Sequence, residues 1–146
     1  MTQNKTQDAK TSNDVAIGEQ QLERFRRQRS KLLLTVPYYG NLACSLELKI
    51  DWTCRTAYTD GKAIGFNPDF TATQLTDEEL RGLIAHEVLH CAYHHQHRRE
   101  GRDPYGWNVA ADYAINDILF GDGFVLPEDA LHDKRFAGMA AEQIYN

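Results

Sequence analysis

The sequence predicts an α+β domain: an N-terminal helix, a small and mostly antiparallel sheet, then two helices and a short closing helix. Three observations carry this. Apolar residues recur at three- and four-residue spacing in 16–34, after Thr76 and after Asn108, the period of helices packed on a core. Between the first two lies the alternating stretch 45–52, and beyond it an Asp60-Gly61 pair flanked by two β-prone runs. At 146 residues the chain is expected to be one domain, 16–146, behind a polar, disordered tail over 1–15.

The first helix, 16–34, offers Ile17, Leu22, Phe25, Leu32 and Leu33 to the core. Its other face carries Arg24, Arg26, Arg27, Arg29 and Lys31, read as a solvated face, with contact to an acidic partner or nucleic acid as the alternative. Pro37 is expected to end the helix, and Tyr38-Tyr39-Gly40 to begin a loop. In 45–52, Leu46, Leu48, Ile50 and Trp52 share one strand face. Runs 55–59 and 62–66 form the hairpin around Asp60-Gly61. Ala63, Ile64 and Gly65 are offered as an exposed strand edge able to pair with the backbone of an extended substrate.

Thr76-Asp77-Glu78-Glu79 is a capping box that opens the next helix, whose Leu80, Leu83, Ile84, Val88 and Cys91 face a core. A polar loop over 100–104 then leads to a helix expected over 108–120, with Asn108 as N-cap and Gly121 as stop. The tail turns around 129–134 and closes with a short helix from about Met139.

The capped helix carries His86-Glu87-x-x-His90. Residues four apart lie about 40° apart around a helix and roughly 6 Å apart along it, so both imidazoles reach one metal ion from one face. Glu87 places a carboxylate beside the position a water would take. A catalytic zinc usually has three protein ligands, and Asp112 is the first choice for the third. Asn116, four residues on, shares its face and would orient a ligand from behind. On a continuous helix His94 is rotated away, His95 points to the opposite side and His97 lies too far along. His132 is a loop residue that could donate a proton, and Tyr58, Tyr93 and Tyr113 are unranked candidates for assisting.

The runs TAYTDGKAIGFNPDF, LTDEELRGLIAHEVLHCAYHHQHRR, GRDPYGWNVAADYAIND, LPEDALHD and FAGMAAEQIY resemble the putative metallopeptidase domain of bacterial and phage proteins, which often precedes a von Willebrand factor A-like domain. The resemblance runs from about residue 18 to the end. It implies a zincin-like fold, zinc held by His86, His90 and Asp112, Glu87 as catalytic base, and a peptide or protein substrate. A stand-alone or truncated copy lacking the A-like domain is expected. The closing helix begins Met139-Ala140-Ala141-Glu142 without a Ser or Thr cap, so its start is weakly specified.

A net charge of -5 argues against a general nucleic-acid binder, although the basic helix with Arg98, Arg99 and Arg102 keeps a nucleic-acid-associated protease as an alternative. The rival from another class is a non-catalytic zinc-containing module acting through a partner protein. No apolar run reaches membrane-spanning length and the start lacks a signal peptide's apolar core, so a cytoplasmic protein is expected. Three scattered cysteines, Cys44, Cys54 and Cys91, suit reduced thiols better than a disulfide framework.

Overall fold

The computed structural model describes residues 11–146. The expected tail lies partly outside these residues, and its end is corrected. Helix α1 (Ser12–Thr35) starts ahead of residue 16 because Thr11 and Asp14 form a capping box: the Thr11 hydroxyl accepts from the Asp14 N–H at 3.1 Å, and the Asp14 carboxylate accepts from the Thr11 N–H at 3.4 Å.

Pro37 begins a helix rather than a loop. It occupies the first turn of α2 (Pro37–Cys44), where no N–H is needed and its fixed φ suits the helix. Tyr39 is thereby buried, and its hydroxyl donates to Asp122 Oδ2 at 2.5 Å.

Strands β1 (Glu47–Ile50), β2 (Ala57–Thr59) and β3 (Ala63–Phe66) form a sheet in the order β1-β3-β2. The β2–β3 hairpin is antiparallel as expected. Asp60 accepts from the N–H groups of Lys62 (2.8 Å) and Ala63 (2.9 Å), and Gly61 supplies a φ of 90°. β1 pairs parallel with β3, Glu47 opposite Ala63 and Ile50 opposite Phe66, so the sheet is mixed rather than mostly antiparallel. The chain leaves β1, crosses to the far edge as β2, and returns between the two. β3 is therefore the central strand. Ala63, Ile64 and Gly65 are buried and paired on both sides, which corrects their assignment as an exposed edge; the edge on that side of the sheet belongs to β2.

Asn67 accepts from the Asp69 N–H at 2.9 Å and opens α3 (Pro68–Gln74). The predicted capping box then opens α4 (Asp77–Ala92): Thr76 Oγ1 accepts from the Glu79 N–H at 3.1 Å, and Glu79 accepts from the Thr76 N–H at 3.0 Å. Leu80, Ile84 and Val88 of α4 join Phe25 and Leu32 of α1, Ile64 and Phe66 of β3, and Ile115 and Leu119 in one core. The Phe25 and Phe66 rings stack at 4.8 Å between centroids. Part of the basic face of α1 is spent on this packing. Arg24 bonds Asp77 (2.7 Å) and the carbonyls of Thr71 and Leu75 (2.6 Å each), and Arg29 reaches the Leu46 carbonyl at 3.3 Å.

After α4 the backbone turns left-handed at His94 (φ 54°) and enters the single turn α5 (His95–Arg98). α6 (Pro104–Gly121) begins earlier than Asn108 because Asp103-Pro104 is the stronger start. Asp103 accepts from the Gly106 N–H at 2.8 Å, and Pro104 takes the first turn. α7 (Ala141–Tyr145) lacks a Ser or Thr cap, and the Gln143 side chain instead accepts from the Ala140 N–H at 2.9 Å. Ala141 packs with Trp107, Ala111 and Ala114 in a second cluster.

Gly82 lets the segment after α6 cross α4. A Cβ there would sit 2.2 Å from the Val125 carbonyl oxygen. Gly82→Ala gains about 1 kcal/mol of helix propensity but must displace backbone, which costs about 3 kcal/mol. A net loss near 2 kcal/mol is expected in urea unfolding; an unchanged midpoint would show that this crossing is loose.

The cysteines are free. No helix among the described residues is long and apolar enough to cross a membrane.

Candidate metal centre

α4 and α6 run antiparallel at the site, because His86 faces Asn116 while His90 faces Asp112. His86 and His90 present their Nε2 atoms 3.0 Å apart, and Asp112 Oδ1 lies 3.1 Å from the first and 3.0 Å from the second. Three such atoms in a triangle cannot all be satisfied by the protons they carry. The spacing approaches the roughly 3.3 Å that a tetrahedral ion imposes on N and O ligands about 2.0–2.1 Å from it. The donor set therefore fits a small divalent cation. Among the described residues, these three are the group of His, Cys, Asp or Glu able to hold one.

The rings are aimed from behind. Asn116 Nδ2 donates to the Leu131 carbonyl at 2.8 Å, which turns its Oδ1 to His86 Nδ1 at 2.9 Å. The Asn116 oxygen accepts a proton on His86 Nδ1, so a cation displacing the Nε2 proton would meet an Nε2 lone pair aimed into the triangle. His90 Nδ1 lies 3.1 Å from Nδ1 of His95.

That contact corrects the expected placement of His95 on the opposite side. The expectation assumed a continuous helix, whereas the left-handed residue His94 swings His95 back beneath His90. His95 is 5% exposed, and its carbonyl accepts from Trp107 Nε1 at 2.6 Å. Burial, then the charges of His90 and Arg98, pull its pKa down to about 4, so its neutral ring can accept the His90 Nδ1 proton. The local signal in the sequence is weak: a histidine-rich stretch five residues past the motif, with no glycine to mark the break.

The electrostatics separate the two carboxylates. Burial pushes Glu87 up from the usual carboxylate range, against the charges of His86 and His90. For Asp112 the upward push of burial is outweighed by hydrogen bonds from His86 and His90, which hold it well below that range. Burial disfavours charge on His86, but the Asp112 hydrogen bond and the charges of Glu87 and Asp112 lift it to about 9. Glu87 is 5% exposed, and its carboxylate makes no hydrogen bond or ion pair with any described residue.

A cleft of about 590 Å³ opens over the cluster. α4 contributes Leu83, His86, Glu87 and His90, β2 and its lead-in contribute 56–59, and α5 and α6 contribute His95, Gln96, Trp107, Asn108 and Asp112. Ala63, Ile64 and Gly65 are absent from it. Of the candidate assisting groups, Tyr58 lines the cleft, with its hydroxyl donating to Asp51 at 3.0 Å. Tyr93, Tyr113 and His132 do not line it; His132 lies 3.3 Å from Asp117 with its ring against Phe120. The His94 and His97 rings are 6.4 Å apart and belong to no metal-capable group among the described residues.

A family model described as a putative metallopeptidase domain matches residues 20–146. No curated protein and no solved structure matches the chain.

Proposed function

The chain belongs to the putative metallopeptidase domain family, and on that premise we propose that it is a zinc-dependent peptidase, with His86, His90 and Asp112 as ligands and Glu87 as general base. The observation that carries this reading is Glu87: a buried carboxylate, without a hydrogen bond, lining a cleft beside three convergent ligand atoms. Buried polar groups are ordinarily satisfied, and one left unpaired in a cleft is suited to accept a proton from something that enters. Two imidazoles and one carboxylate suit zinc better than magnesium or calcium, which prefer all-oxygen sets. A structural zinc site would be closed by a fourth protein ligand, often a thiolate, and no cysteine joins this group.

Bound there, zinc would supply Lewis acidity that acidifies a water and polarises a carbonyl. The remaining chemistry belongs to the chain. Glu87 accepts a proton as the water oxygen bonds to the scissile carbonyl carbon, then gives it to the amine nitrogen as the C–N bond breaks. A carboxylate whose proton affinity is raised by burial is matched to that exchange. Asn116 and His95 keep the two imidazoles in register. The backbone of β2, as the open sheet edge lining the cleft, is the place for an extended substrate strand to pair. Arg24 and Arg29 are tied to this chain's own acids and carbonyls, which weakens the case for nucleic acid on α1.

The test joins metal content to cleavage. Protein dialysed against zinc and freed of excess should hold about one zinc per chain by elemental analysis, and should cleave randomised peptide pools. Chelation should stop cleavage and added zinc should restore it. Cleavage that survives complete metal removal, or a protein that retains no metal, would remove the reading.

A further inference from the structure

Arg98, Arg99 and Arg102 follow the site helix, and the fold gives them different tasks. Arg98 Nε donates to Glu142 Oε1 at 2.7 Å, a second nitrogen grips the same carboxylate, and Nη1 donates to the Tyr93 carbonyl at 2.9 Å. Arg102 donates to the carbonyls of Arg98 (3.1 Å) and Arg99 (3.3 Å), and its guanidinium lies over Trp107 and Tyr145. Both hold the α5–α7 corner together. The Arg99 guanidinium makes no hydrogen bond or ion pair with any described residue, yet Arg99 lines the cleft. Asn108, exposed on α6, lines it too, and its carboxamide makes no hydrogen bond with any described residue.

The cleft's own acids are Glu87 and Asp112, and Asp112 is already held by two imidazoles. A guanidinium presents a planar fork of donors that matches a carboxylate, and a carboxamide lining the same cleft can add another donor. In an unmodified peptide the matching anion is a carboxylate, either an acidic side chain or the free C-terminus.

We propose that Arg99, with Asn108, forms a carboxylate-recognising subsite of the cleft, and that the favoured substrates carry a carboxylate near the scissile bond. The substrate claim rests on the peptidase reading; the binding claim does not. The experiment uses zinc-loaded Glu87→Gln protein and fluorescein-labelled randomised peptide pools, read by fluorescence anisotropy. One pair of pools differs by Glu against Gln at a single interior position, and a second by a C-terminal acid against an amide.

Loss of the recognised carboxylate should weaken binding about tenfold, as for one charge-assisted hydrogen-bonded contact. The pair that shows the difference identifies the source. Arg99→Met should erase that difference. Equal binding within both pairs, binding of no pool, or a difference that persists in Arg99→Met overturns the subsite. A carboxylate preference that Arg99→Met removes, in wild-type protein that cleaves nothing, keeps the subsite and defeats the peptidase reading. Cleavage by wild type without any such preference does the reverse.

Discussion

Glu87→Gln should lower peptide turnover by about a thousandfold and leave zinc in place. Removing a general base typically costs a factor between about 10² and 10⁴, and in the proposed mechanism Glu87 has no neighbour able to take its place. The other carboxylate in the cleft, Asp112, is held by both imidazoles and kept ionised by them. The substitution is nearly isosteric and lies outside the ligand set. It also removes a charge from a buried position without a hydrogen bond. Burying an unpaired carboxylate is costly, so the variant should unfold at the same temperature as wild type or a higher one. Three measurements belong together: turnover, zinc per chain and thermal midpoint. Wild-type turnover in a zinc-loaded Glu87→Gln protein would eliminate Glu87 as the base.

Asp112→Ala should abolish stoichiometric zinc binding. Loss of a hydrogen bond behind a ligand costs about 10–100-fold in affinity, and loss of a ligand must cost more. Asp112 also supplies the carboxylate that both imidazoles face, at 3.0 and 3.1 Å, so its removal leaves two histidines crowded without a counter-charge. Zinc at a hundredfold excess over its dissociation constant should stabilise the wild-type fold by about 2.7 kcal/mol, and the Asp112→Ala fold hardly at all. Elemental analysis after gel filtration reads the first effect, and thermal melts with and without zinc read the second. If Asp112→Ala retained one zinc per chain through a competing chelator, the third ligand would have to come from elsewhere.

The parts of this site that are legible in the sequence are those that local chemistry decides. Thr76 and Glu79 start α4 wherever the helix packs, and helical periodicity then puts His86 and His90 on one face while Leu80, Ile84 and Val88 take another. Asp112 and Asn116 share a face of α6 for the same reason, and the antiparallel return of that helix brings them to His90 and His86 respectively. The missed elements involve a choice between local signals. Pro37 can stop one helix or start the next. Thr11 and Asp14 cap α1 from within a stretch whose polarity reads as a tail. Asp103-Pro104 outcompetes Asn108 as the start of α6.

What the sequence by itself determined is two imidazoles on one face of α4 with Glu87 between them, and Asp112 and Asn116 on one face of the following helix. Each pair is spaced by helical geometry that needs no partner. That the two faces meet was decided by packing. Tertiary structure alone decided which neighbours surround that cluster. β1 lies parallel to β3, which buries Ala63, Ile64 and Gly65 and leaves β2 as the edge at the cleft. His94 adopts a left-handed backbone, which brings His95 under His90. Glu142 and the rings of Trp107 and Tyr145 engage Arg98 and Arg102 but leave Arg99 facing the cleft. The physical reason is range. A capping box or an i, i+4 pair is set within one turn of backbone, whereas strand order, a helix break and the pairing of one arginine among three depend on segments that meet only when the chain has packed.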